Sequence, residues 1–309
     1  MIYDRNADQP LFSVVVCCYQ AGEKLQRCVE SLLKCEGWNP QVAAPPAFQL
    51  EIILAEGGSS DDTAAVCEAI AARCPGLVHT VTGLPKSASA KRNAGAKVAH
   101  GRWLAFTDPD IVVDPKWLST FFANFTAGEI CQTGRILELH EADLQTSLRT
   151  SKERRHYAAG LWQLATAWKI GGAGNVACTR EAFDKIGGFM EDVGPGTPNG
   201  VGEDPDFFYR MLKSGVKILY EPAAIVHHDH AENFTQFLNK KRGYFKGGVY
   251  FMARRAFFTP AGQLALALRF GYPFAMFWLS LVTFRFSRLR QAWHEWLGAW
   301  SGLWRALVA

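Results

Sequence analysis

No C-x-x-C pair occurs among the eight cysteines of this 309-residue chain, and none of their spacings fits a zinc site, so reduced thiols are the reading. A G-x-G-x-x-G turn is missing too. Only Gly22 follows the first strand-like run, which argues against an NAD or FAD protein, and no P-loop is present. Met1 to Asp8 lack a basic stretch followed by an apolar one, so no secretory signal is expected and the chain is placed in the cytoplasm. Acid is scarce at the other end. From residue 240 on there are eleven Lys and Arg against the single acid Glu295, whereas 22 basic and 28 acidic residues precede them. An acidic body with a basic tail points to an anionic surface as partner.

What is present is ample apolar material. At 49% hydrophobic residues the chain can bury one large core or two smaller ones. Phe12 to Cys18 is a β-branched run typical of a strand covered on both faces, and Leu25, Val29, Leu32 and Leu33 recur at helical spacing after it. Leu50 to Ala55 reads as a second strand, followed by the turn Gly57 to Asp62 and an Ala-rich helix from Thr63 to Arg73. Leu77 to Thr82, Ala88 to Ala99 and Trp103 to Thr107 continue the alternation as strand, helix, strand. Such alternation predicts a parallel sheet, and ligands gather at the carboxyl ends of its strands.

The second part, 135 to 230, is less regular. Residues 143 to 168 are expected to be helical, a glycine cluster follows at 171 to 174, and the Gly/Pro loop 194 to 202 reads as a mobile lid or a long surface connection. Pro205 to Ser214 fits a helix with Phe207, Phe208, Met211 and Leu212 inward. Two short strands, 216 to 220 and 224 to 226, then lead to His227 and His228.

Two acidic motifs stand out. Asp108-Pro109-Asp110 ends the fourth strand, and Gly202-Glu203-Asp204 opens a helix some ninety residues later. Carboxylates at i and i+2 on a strand end can hold a hard divalent cation, Mg²⁺ or Mn²⁺, against phosphate oxygens, with a histidine after the last strand completing the shell. Asp204, with Glu203 beside it, can take a proton at a helix N-terminus. Each motif alone also fits a solvated turn around Pro109 and a helix cap.

Their order carries more than either alone. The segments 12 to 33, 51 to 63, 86 to 118, 171 to 189, 200 to 215 and 221 to 230 resemble, in sequence order, the inverting family 2 glycosyltransferases of the GT-A fold. That resemblance implies a Rossmann-like, mixed but mostly parallel α/β sheet flanked by helices, with a catalytic domain over 1 to 230. Residues 12 to 110 would be its nucleotide-binding half and 135 to 230 its acceptor half. It implies that Tyr19, Glu56 and Arg92 meet the nucleotide, that Asp108 and Asp110 handle ribose and metal, that Asp204 is the base, and that His228 reaches the metal or diphosphate. Cys17-Cys18 stands where the family has Pro-Thr, and Glu56-Gly57 where it has an acidic pair. The Q-x-x-R-W motif of processive synthases is missing after residue 230, which favours transfer of a single sugar.

The remainder, 231 to 309, reads as a basic, aromatic-rich helical tail. Its longest uncharged stretch, residues 270 to 284, spans only about 22 Å as a helix, short of the roughly 30 Å of a bilayer core. Arg269 and Pro273 also argue against one straight span. Further on, Trp293, Trp296, Leu297, Trp300, Leu303, Trp304 and Leu307 share one helical face. With Arg285, Arg288, Arg290 and Arg305 this is the composition of a helix lying among lipid headgroups on the inner face of the cell membrane. A face packed on another domain or in a homo-oligomer is the rival. Nucleic acid is not an expected partner, because aromatics on an apolar face suit lipid better than phosphate. The expected function is transfer of one sugar from a nucleoside-diphosphate sugar to an acceptor hydroxyl, in lipid-linked glycan or cell-surface polysaccharide synthesis. A non-catalytic nucleotide-binding scaffold and a sugar nucleotidyltransferase are the alternatives.

Overall fold

The computed structural model describes residues 11–38, 46–140, 150–229 and 234–308. Its first half follows the alternation read from the sequence: β1 (Leu11–Cys18), α1 (Gly22–Leu33), β2 (Gln49–Glu56), α2 (Thr63–Arg73), β3 (Val78–Val81), α3 (Ala88–Val98) and β4 (Trp103–Thr107). These four strands lie parallel in the order β3-β2-β1-β4. Both faces of β1 are covered, as its apolar run requires. Val14 and Val16 join the core under α1, while Val15 joins the opposite core with Phe106, Phe183 and Phe207.

The second half supplies β5 (Ile111–Val113), α4 (Trp117–Thr126), β6 (Cys131–Glu138), β7 (Arg155–Tyr157), α5 (Leu161–Ala165), β8 (Val176–Thr179), α6 (Arg180–Lys185), α7 (Glu203–Lys213) and β9 (Ile218–His228). The sheet continues from β4 through β8, β6 and β9 to β5, with β7 also on β9. Here β8 runs antiparallel to both β4 and β6, so the sheet as a whole is mixed.

Three local expectations change. The helix expected over 143 to 168 is replaced, in its described part, by β7, the short α5 and a 3-10 turn at Ala167–Lys169; residues 141 to 149 lie outside the described residues. Arg155–Tyr157 pairs with β9, and those ladder bonds outweigh local helix preference. The two strands expected after α7 are one continuous β9. Its pairing with β6 skips from Glu221 to Ile225 opposite Gly134 and Arg135, so Pro222 sits in a bulge that asks for no ladder N–H. Finally, α7 starts at Glu203, so the acidic pair is its first turn and Pro205 is tolerated there.

After β9 come α8 (Phe234–Arg255), α9 (Pro260–Val282) and α10 (Phe286–Val308). The boundary expected at residue 230 marks a change of element type, and packing runs across it. Tyr250, Phe251 and Met252 of α8 belong to the same core as Phe207 and Ile218, and Tyr250 Oη donates to Asp192 Oδ2 at 2.9 Å. Arg269 and Pro273 do not interrupt α9, which starts on a Thr259 cap with Pro260 in its first turn and runs 23 residues. Neighbouring helices hold it straight through both positions. Ala261, Ala265, Arg269 and Pro273 form its buried stripe, at steps of four residues. In α10 the buried stripe is Ala292, Glu295, Gly298, Ala299 and Gly302. A Cβ on Gly298 would stand 2.4 Å from the Arg242 carbonyl oxygen, and one on Gly302 2.2 Å from that of Lys246, so the glycines set how closely α10 approaches α8. The aromatic stripe read from the sequence therefore faces away from α8, partly against α9 and partly exposed.

Candidate active site

A cavity of about 1020 Å³ opens at the carboxyl ends of β1 and β4. Tyr19 follows β1, Asp108 and Asp110 follow β4, Lys91 and Arg92 project from α3, Asp204 from the first turn of α7, and His228 from the end of β9; all line this one cavity. Asp110 and Asp204 thus share a single hollow although 94 positions separate them. The glycine cluster between them leaves the necessary room. A Cβ on Gly174 would stand 2.9 Å from Asp108 Oδ2 and 2.6 Å from Ile111 Cδ1.

Arg92 ties the two acidic motifs together. It is 3% exposed, its Nη2 donates to Asp108 Oδ1 at 2.8 Å, and its Nη1 donates to Glu203 Oε1 at 3.4 Å. Burial opposes the guanidinium charge, but Asp108, Cys17, Glu203 and Asp204 more than offset it and hold its pKa above the usual value. Glu203 is pushed the other way. Burial first, then Asp204 beside it, raises its carboxyl to about 8 against the pull of Arg92. Glu203 Oε2 also accepts from the Gly202 N–H at 3.1 Å, which ties this side chain to the helix start, and both Glu203 and Asp204 line the cavity.

Asp110 has its Oδ1 3.8 Å from His228 Nε2. Burial and then Asp108 raise its carboxyl to about 7, against the pull of Lys24 and Lys240. A divalent cation would suit two such neighbouring carboxyl groups. Among the described residues, no group of three or more His, Cys, Asp and Glu side chains stands close enough to hold an ion unaided, and Asp108 already serves Arg92. Asp110, Asp108 and His228 are the side chains that could hold such a cation, and the phosphate oxygens of a nucleotide would complete the shell. His227, one residue earlier on β9, is not among the cavity-lining residues, as strand alternation predicts, and His230 lies outside the described residues.

Not every expected contact lines the cavity. Glu56 is buried at the end of β2, where its Oε1 accepts from the Ser59 N–H at 3.1 Å, and it is not part of the cavity lining. Tyr19 does line it, with the ammonium groups of Lys91 and Lys86 lying 4.8 and 5.9 Å from its ring centre. Lys91 was not singled out in the sequence, yet it is 1% exposed and reaches the cavity beside Arg92. The signal for it was the spacing of Ala88, Lys91, Arg92 and Gly95 on one helical face, with Gly95 tight against Val15. The 194 to 202 loop is bonded to itself: the Gly194 N–H donates to the Gly200 carbonyl at 2.7 Å, and Asn199 Nδ2 to the Asp192 carbonyl at 2.7 Å. Pro195, Gly196 and Val201 of this loop still form part of the cavity rim. The tail also contributes, through Lys240, Lys241, Arg269, Tyr272 and Arg288, a set the sequence reading assigned elsewhere.

A parallel half-sheet ending in D-x-D, a mixed second half and an acidic helix start lining the same cleft define a GT-A glycosyltransferase fold. The family model for glycosyltransferase like family 2 matches residues 9–245, and the chain belongs to that family. It is 26% identical over 164 residues to the pre-mycofactocin glycosyltransferase of Mycobacterium tuberculosis, which covers 52% of this chain and 33% of that protein. The chain thus spans about a third of that relative's length. Among solved structures, the mannosyltransferase PcManGT of Pyrobaculum calidifontis, in complex with GDP-Man and Mn²⁺, superposes with a TM-score of 0.61 at 14% identity, over 98% of this chain and 90% of that one. Residues 1–349 of Staphylococcus aureus TarS, in complex with UDP-GlcNAc, give 0.56 at 13% identity, over 94% and 90%.

Proposed function

We propose that this chain transfers a single sugar, with inversion and with help from Mg²⁺ or Mn²⁺, from a nucleoside-diphosphate sugar to a hydroxyl of a lipid-linked or cell-surface glycan. The observation that carries the reading is that Asp110 and Asp204 line one and the same cavity. The Mn²⁺ and nucleotide sugar in the archaeal mannosyltransferase complex support it by analogy of fold. On the donor side, Lys91 and Arg92 offer positive charge for the diphosphate, and Tyr19 lies at the same wall. A cation held by Asp110, Asp108 and His228 would neutralise the leaving diphosphate.

On the acceptor side, Asp204 takes the hydroxyl proton while the oxygen bonds to the anomeric carbon. The bond from that carbon to the diphosphate breaks on the opposite face, and its electron pair leaves with the nucleotide. Glu203, whose carboxyl is raised to about 8, keeps a proton near neutral pH and is the poorer base of the two. The measurement that decides is release of UDP or GDP from a panel of nucleotide sugars with Mn²⁺ present. The wild type should turn over and Asp204→Asn and Asp110→Ala should not. Tight nucleotide binding with no turnover on any donor or acceptor would instead favour a scaffold.

The tail supports attachment to the inner face of a membrane. Helix α9 is long and apolar enough to cross a bilayer by length and composition, but its buried stripe, Arg269 included, packs on the protein, so we read it as lying along the surface. Across the α9–α10 hairpin Phe270 meets Trp300, Phe274 meets Trp296 and Phe277 meets Trp293, while Trp278, Phe284, Trp304 and Leu307 stay exposed. An exposed face of this size with flanking arginines suits headgroups and acyl chains.

A further inference from the structure

We infer that the tail side of the cleft is an acceptor subsite for a phosphate-bearing alcohol, organised by Arg269. The inference rests on the transferase reading of the same cavity. Arg269 projects from α9 and is only 6% exposed, yet it lines the hollow. Its guanidinium carbon lies 4.2 Å from the Trp168 ring centre and 5.0 Å from that of Phe245. Gly248 provides its seat, since a Cβ there would come within 2.7 Å of the guanidinium carbon. A planar cation clamped between two rings and resting on a glycine has a fixed orientation.

That orientation leaves hydrogen-bonding capacity unused. Nη1 donates to the Tyr244 carbonyl at 3.2 Å, and Nε, although buried, has no acceptor. A guanidinium has five N–H donors, and phosphate is the ligand whose oxygens fit its fork. Glu295 attracts Arg269, but its Oε1 accepts from Gln291 Nε2 at 2.8 Å, and burial raises its pKa. Burial lowers the Arg269 pKa to about 10, so the charge persists at neutral pH. Lys241 and Arg288 line the cavity too and, like Arg269, act on Glu295, whereas Lys240 acts on Asp110. The cleft therefore presents two cationic groups, Lys91 with Arg92 for the donor diphosphate and Arg269 with Lys241 and Arg288 for a second anion, with Asp204 in the same hollow. Tyr272 lines the cavity and is also half exposed beside the apolar face of α9, which gives an acyl or prenyl chain a path out of the cleft.

The test uses the full chain saturated with UDP and Mn²⁺, so that the donor side is filled. It is titrated with dodecyl phosphate below its micelle concentration, with glycerol 3-phosphate, and with dodecyl maltoside as the neutral control. Wild type should bind the phosphate esters, and Arg269→Gln should weaken this at least tenfold while UDP affinity stays within twofold; Arg269→Lys should fall between. The double substitution Lys241→Gln, Arg288→Gln, which leaves the packed guanidinium in place, should also weaken phosphate binding several-fold and guards against a folding defect in the Arg269 variants. Tighter binding of dodecyl phosphate than glycerol 3-phosphate assigns a lipid phosphate, and equal binding a soluble ester; both support the subsite. Equal phosphate affinity in wild type and all variants, dodecyl maltoside binding as tightly as dodecyl phosphate, or competition between phosphate ester and UDP would overturn it. Failure of UDP to bind counts against the transferase reading alone, and the same comparison without nucleotide then decides the subsite.

Discussion

Arg92 Nη2 donates to Asp108 Oδ1 at 2.8 Å from a nearly fully buried position, and this bond joins α3 to the end of β4 at the floor of the cleft. Because the same guanidinium also reaches Glu203, its loss strands the Asp108 carboxylate and leaves the Glu203 carboxyl without its partner. Arg92→Ala should destabilise the protein by about 3–5 kcal/mol, the usual cost of removing one partner of a buried ion pair. Arg92→Lys should recover only part of that, since an ammonium lacks the fork that serves both acids. Urea unfolding of the three proteins measures it, and equal midpoints would remove Arg92 from the role given to it.

Asp204 and Glu203 should separate in function. Asp204→Asn should lower the turnover rate by roughly 10²–10⁴-fold with little change in nucleotide affinity, as expected for loss of a general base. Glu203→Gln should cost far less, because a carboxyl already holding its proton is well mimicked by an amide. Steady-state kinetics on both variants distinguishes them, and a reversed order would exchange the two roles.

The stability of the protein should also carry the signature of Glu203. Its folded-state pKa is raised from 4.5 to about 8, so the folded chain keeps a proton that the unfolded chain releases. The unfolded state then binds fewer protons between these values, and the contribution to stability has a negative slope with pH. It is fully present below about 4.5 and is lost as pH rises through about 8. The stability of wild type relative to Glu203→Gln should fall across this window and flatten above it. A pH-independent difference in denaturation midpoint would contradict the shift.

Gly302 tests the docking of α10. Alanine there places a Cβ 2.2 Å from a backbone oxygen of α8, which no side-chain rotation relieves. Gly302→Ala should destabilise by about 1–3 kcal/mol and make α10 easier to cleave by protease. Gly128→Ala meets nothing within 4 Å and serves as the comparison for space, although its positive φ of 98° adds a strain of its own.

The exposed aromatic stripe predicts vesicle binding. Trp300→Ser, Trp304→Ser and Leu307→Ser together should reduce flotation with anionic vesicles at least tenfold without changing nucleotide affinity. Salt should weaken wild-type binding, at about 1 kcal/mol for each Lys or Arg near the surface. If vesicles leave the chain unbound and the same substitutions convert a dimer to a monomer, the face belongs to a homo-oligomer.

What the sequence determined by itself was whatever local chemistry dictates. The β-branched runs and helical spacings of the first 110 residues specify strands and helices within two residues or so, and Asp108 and Asp110 fall at a strand end because the apolar run stops there. Asp204 was legible as the opening of a helix for the same reason. Tertiary structure decided the rest. Arg155–Tyr157 became a strand because β9 offered an unpaired edge, Glu56 turned into its own loop, and Arg92 chose its acids across the fold. The tail shows the division most clearly. Periodicity revealed an aromatic stripe on α10, but only the close fit of Gly298 and Gly302 against α8 made the opposite face the buried one and brought Arg269 to the cleft. A single helix carries its pattern in its own sequence, whereas which face it buries depends on a partner surface formed by residues far away in the chain.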